Sequence, residues 1–132
     1  MKIPTENTKE AIHARRIMIR HRLSKVTKPI KCPCLGNVPV LIEPKSIEEI
    51  EQYAGLSAES TAVALHLPEL LKTATYYRMT LPKENNKQKK KFQFIFVYEL
   101  RAETKDGKQA KLLVGVREIP LKFLQYCITA RK

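Results

Sequence analysis

From residue 75 onward the pattern of apolar positions changes from helical to the alternating kind expected of strands. Before residue 75 the apolar positions recur every three or four residues, so helices are predicted first and strands after them. In residues 8–26, Ile12, Ile19 and Leu23 stand at helical spacing, Thr8 can cap the start, and Arg15, Arg16, Arg20 and Arg22 surround the apolar stripe. This predicts a basic, weakly amphipathic helix that packs on the domain through this narrow apolar stripe and keeps its charged face solvated; the alternative is an extended arm that reaches a partner or nucleic acid. Residues 28–44 hold four prolines and one glycine and predict an irregular connector, with a short strand at 38–42 that Pro39 would confine to a sheet edge. A helix over 46–54 follows, with Glu48 and Glu49 favoured in its first turn and Gly55 as its stop. Another helix starts at Ser57, and Pro68 both ends it and permits a restart over 68–74, leaving His66 at the junction.

Strands are predicted at 75–81, 92–103, 109–119 and 124–132, with Asp106-Gly107 marking the turn of a hairpin. The layout is α+β: N-terminal helices packed on one face of a four-stranded antiparallel β-meander. One domain spans 1–132, with residues 1–34 forming the basic helix and Pro-rich connector and 35–132 the α+β body. Alternation places Tyr77, Met79, Phe92, Phe94, Phe96, Tyr98, Leu100, Leu124, Tyr126 and Ile128 toward the helices. The outer face would then collect Tyr76, Arg78, Arg101, Lys111, Arg117, Thr129 and Arg131.

Charge sharpens this picture. The net charge is +12 on 132 residues, which points to a polyanionic partner. The first 34 residues carry nine basic and two acidic side chains, residues 35–80 three and six, and residues 81–132 thirteen and five. A mildly acidic helical layer thus lies between two basic parts. No apolar run approaches the roughly 20 residues of a membrane span, and the start is polar, so a cytoplasmic protein without membrane association is expected. Three cysteines, Cys32, Cys34 and Cys127, are an odd number and predict reduced thiols in place of a disulfide framework. Cys32-x-Cys34 lacks the second well-spaced pair of a structural zinc site, and there is no glycine-rich phosphate loop, so no metal or other cofactor is expected.

The segments "VALHLPELLKTATYY", "FQFIFVYELRAETKDGKQAKLLVGVREI" and "LQYCITA" together resemble the phage- and mobile-element-associated domains of the barnase, EndoU, tRNase-colicin and RelE-like nuclease fold. The matching features are His66 with Pro68-Glu69-Leu70, the Asp106-Gly107-Lys108 turn, and the last strand with Tyr126 and Thr129. The resemblance covers about residues 38–130. It implies helices on a four-stranded antiparallel sheet and, in active members, metal-independent RNA cleavage. Such cleavage needs a base, an acid and cations for the charge growing on phosphorus. His66 could fill one of the first two roles and Arg78, Arg101 and Arg117 the third, with Thr129 added by the resemblance. Tyr98 or Tyr126 could donate a proton if outward-facing, and His13 and His21 have weaker claims. Tyr76, Lys111, Arg131 and the loop lysines Lys89, Lys90 and Lys91 are the candidate nucleic-acid contacts. The reading is a basic nucleic-acid-interacting domain, with RNA the first choice of partner and endoribonuclease activity an open option. Its rivals are a non-catalytic RNA- or DNA-binding module and an interaction protein that docks an acidic partner.

Overall fold

A computed structural model describes residues 2–81, 93–118 and 120–131, the last of these partly as backbone only. They form four helices, α1 (Lys9–Leu23), α2 (Pro44–Ala54), α3 (Ala58–Leu65) and α4 (Leu67–Thr73). The six strands are β1 (Ile30–Cys32), β2 (Val38–Leu41), β3 (Thr75–Thr80), β4 (Phe94–Glu103), β5 (Gln109–Arg117) and β6 (Lys122–Arg131). The architecture is α+β. All six strands belong to one sheet in the order β1-β2-β6-β5-β4-β3. The predicted four-stranded antiparallel sheet is therefore corrected to a six-stranded mixed one, because β2 joins β6 in parallel through Val40 opposite Phe123 and Leu41 opposite Leu124. Pro39 also does not confine β2 to the edge. The ladder to β6 covers only Val40 and Leu41, so the missing proline amide falls beside it, and β1 takes the edge position instead.

The helix starts follow their caps. Thr8 Oγ1 accepts from the Ala11 amide at 3.1 Å and Ser57 Oγ from the Ser60 amide at 3.1 Å. α2 begins two residues before the predicted start, with Pro44 in its first turn where a missing N–H costs nothing. His66 joins α3 to α4, as the proline predicts.

The basic helix α1 packs on the domain through its apolar stripe as expected, but its charged face is not wholly solvated. It packs on α2 and α3 through Ala11, Ile19, Leu23 and also Arg15, which is 1 % exposed. Arg15 Nε donates to the Gly55 carbonyl at 2.8 Å, Nη1 to those of Pro4 and Glu6 at 2.9 Å each, and Nη2 to that of Leu56 at 3.3 Å. Arg16 donates to the Gln52 carbonyl at 3.1 Å, and Arg20 grips Glu51 with two bonds of 2.9 and 2.6 Å. Three cations thus meet the C-terminal turn of α2, where orphan carbonyls and the helix dipole favour positive charge. Gly55 permits the approach: a Cβ there would lie 2.7 Å from Arg16 Cγ.

The main core lies between the helices and one sheet face. It holds Ile50, Val63, Leu67 and Leu71 from the helices and Leu100, Ala102, Leu112, Val114 and Ile128 from the strands. A second, smaller cluster comprises Phe94, Val97, Leu124 and Tyr126, with Leu41 and Leu113 against it. It occupies the opposite face, because Val97 and Leu113 alternate with the core residues Leu100 and Leu112. Burial of Phe94, Leu124 and Tyr126 toward the helices was the sequence expectation; of three register shifts in the sheet, those on β4 and β6 explain the reversal. The three fall between Tyr76 and Arg78 on β3, between Phe94 and Phe96 on β4, and beside Tyr126 on β6, where the partner of Leu113 is Cys127 but that of Val114 is Gln125. Each extra residue inverts the facing of everything beyond it. The Phe94 ring fills the space over Gly115, where no Cβ could fit, and lies 4.8 Å from the Tyr126 ring.

Candidate functional site

On the sheet face turned away from the helices, β3, β4 and β5 bring Arg78, Glu99, Arg101 and Lys111 together. Glu99 opposes both Arg78 on β3 and Leu113 on β5, and Arg101 opposes Thr75 and Lys111. Glu99 is 3 % exposed. Its Oε1 accepts from Arg78 Nε at 3.1 Å and its Oε2 from Arg101 Nε at 2.9 Å, with a further bond from Arg101 Nη2. The Arg101 guanidinium also stands over the Tyr77 ring, 4.1 Å from its centroid, and that of Arg78 lies 5.6 Å from it. Such stacking leaves the outward N–H groups of a guanidinium able to donate. Three cations and one carboxylate leave this cluster with a net charge of +2.

Glu99 anchors the cluster. Burial opposes its ionisation, yet the bonds from Arg101 and Arg78, with the charge of Lys111, outweigh it and hold the carboxyl below its usual range. A free glutamate titrates near about 4.3. Stability from this group is therefore complete above that value and lost as the pH falls through the lower folded value. Glu99→Gln should be less stable than the parent at neutral pH, with the gap closing as the pH falls through the lowered folded value, as read from urea midpoints across the acid range.

The structure divides the predicted catalytic set. His66 is exposed in the helical layer, between α3 and α4, whereas Arg78 and Arg101 lie across the sheet on its other face. Arg117 shares their face but stands six residues from Lys111 along β5, roughly 20 Å at the rise of an extended strand. Leu113 and Gly115, under the Phe94 ring, come between them. The Thr129 backbone pairs with Lys111 and that of Arg131 with Gln109, so both positions fall at the end of the sheet carrying the cluster. Lys89, Lys90 and Lys91 lie outside the described residues.

Tyr76 and Tyr77 exchange their expected roles because of the β3 register shift. Tyr76 meets the Tyr98 ring edge-on at 5.9 Å on the helix side, and Tyr77 joins the arginines. Tyr98 packs against the main core, and Tyr126, although on the cation-bearing face, is buried against Phe94. Neither is exposed for proton donation there. His13 and His21 lie on α1, in the helical layer. Sequence reading missed Glu99 and Tyr77, although an acid inside an apolar strand two residues from Arg101 signals a same-face pair.

Among the described residues no group of three or more His, Cys, Asp or Glu side chains could hold a metal ion, and no helix is long and apolar enough to cross a membrane. A cavity of about 750 Å³ opens elsewhere, between the end of α1 and the start of α2. Its walls mix Arg20 and Lys28 with Glu43, Glu48 and Glu51 around Leu23, Val26 and Ile47. No family model, curated protein or solved structure matches the chain.

Proposed function

We propose that the protein binds RNA through the sheet face that carries Arg78, Arg101 and Lys111. The observation that carries this reading is the cluster itself: three cations from three adjacent strands, with the half-exposed Tyr77 ring among them. Cations at this spacing suit successive phosphates, and an exposed ring beside them suits an unstacked base. The net charge of +12 supports the same partner. The reading is of binding without cleavage, since His66 and the arginines do not converge on one phosphate.

The test is fluorescence anisotropy with a labelled single-stranded oligoribonucleotide across a salt series. Arg101→Ala combined with Lys111→Ala should weaken binding at low salt and flatten the log–log salt dependence by roughly 0.7 for each phosphate contact removed. Glu99→Gln should tighten binding, because the arginines lose a competing anion. The RNA should stay intact in EDTA. Absence of salt-sensitive binding, together with a stoichiometric complex with an acidic protein, would replace this reading with a protein-docking one.

A further inference from the structure

The Cys32-Pro33-Cys34 segment belongs to neither the sheet face nor the helical contacts described above. Cys32 closes β1, and a 3-10 turn at Pro33–Leu35 follows immediately. The turn is held by the Gly36 amide on the Pro33 carbonyl at 3.1 Å and the Asn37 amide on the Cys32 carbonyl at 2.9 Å. Gly36 and Asn37 adopt left-handed backbone, with φ of 74° and 62°. They turn the chain back toward β2, and within the segment that precedes them the two Sγ atoms lie 3.5 Å apart. The thiols differ in access: Cys32 is fully buried in the main core and Cys34 is partly exposed.

We propose that Cys32 and Cys34 form a thiol–disulfide pair whose co-reactant is a low-molecular-weight disulfide such as oxidised glutathione. Cys34 loses its proton, its thiolate attacks one sulfur of that disulfide, the S–S bond breaks, and the departing thiolate takes up a proton to leave as a thiol. Cys32 then gives up its proton and attacks Cys34 Sγ, displacing the second small thiol, which takes that proton. Two protein thiols are oxidised to one disulfide while one small disulfide is reduced to two thiols. Access assigns the order of attack, and burial together with the neighbouring Cys34 pushes the Cys32 thiol up to about 12, which keeps it from attacking first. The second step is intramolecular, and the separation closes to about 2.05 Å by a movement within the turn.

The test uses the whole native chain in glutathione buffers of graded ratio, quenched with acid and alkylated before peptide mass analysis. The expected product is the peptide joining Cys32 to Cys34, two hydrogens lighter and unalkylated, and restored to two thiols by reduced glutathione. Cys34→Ser should abolish it and leave Cys32 unmodified in the native protein, whereas Cys127→Ser should leave the product unchanged. Accumulation of a stable mixed disulfide at Cys34 would overturn the proposal. So would a bond to Cys127, or a product formed only in denaturant. The decisive product is read on the unmutated chain, so the test survives if Cys34→Ser folds poorly.

Discussion

Arg15→Ala will cost the domain about 3 kcal/mol or more, because four backbone carbonyls lose their donor and a buried acceptor left unsatisfied costs about 1–3 kcal/mol. Arg15 satisfies carbonyls from three places at once: the N-terminal segment at Pro4 and Glu6, the end of α2 at Gly55, and the start of the α2–α3 turn at Leu56. Removing it leaves acceptors without donors in a site too enclosed for full hydration. Domains of this size are stable by only about 5–15 kcal/mol, so the variant should lie near its unfolding threshold. Arg15→Lys should recover only part of the loss, because an ammonium keeps the charge but cannot span carbonyls on two sides as a planar fork does. Urea titrations of the three proteins, compared at equal slope, provide the measurement.

Gly115→Val should be of similar severity, at about 3 kcal/mol or more, at the upper end of overpacking penalties. A Cβ at 115 would occupy the position of the Phe94 ring, and the ring cannot move without opening the cluster it forms with Val97, Leu124 and Tyr126. Phe94→Ala alone should cost about 3–5 kcal/mol by leaving a cavity. In the double variant the clash is gone and the valine fills part of the hole, so the two losses should be well short of additive. An additive double-mutant cycle would mean that the ring and the glycine do not share this space.

Helices proved the more legible part of the chain. Thr8, Ser57, Gly55 and Pro68 act within a few residues of themselves, and each boundary they imply falls within two residues of its observed place. Five of the six strands were visible, β1 being hidden in what reads as an irregular connector, but several of their facings were not. A register shift depends on the partner strand, and β4 carries Ile95 and Val97 as well as Phe94 and Phe96, so both phases look apolar. The helix-facing and outward-facing sets are correct where no shift intervenes, as at Leu100, Arg101 and Lys111. They are reversed beyond a shift, as at Phe94 and Tyr126. The cation cluster could thus be anticipated at Arg101 and Lys111, but the exchange of Tyr76 for Tyr77 could not. Arg15 was hidden for a different reason. An arginine on a basic helix reads as solvated until carbonyls forty residues away are known to reach it.

The place of β6 in the sheet has a consequence for the order of assembly. It lies between β2 and β5 yet is later in the chain than every strand it joins. During synthesis, the β1–β2 pair and the β3–β5 group must wait as two separate fragments, each with an open edge, until the final strand emerges to bridge them. Closing β2 onto β6 spans some eighty residues, a non-local step of the kind that slows folding and prolongs exposure of unpaired edges. A nascent chain halted before residue 122 would lack the strand that unites the sheet, leaving two sticky halves that invite association with other chains.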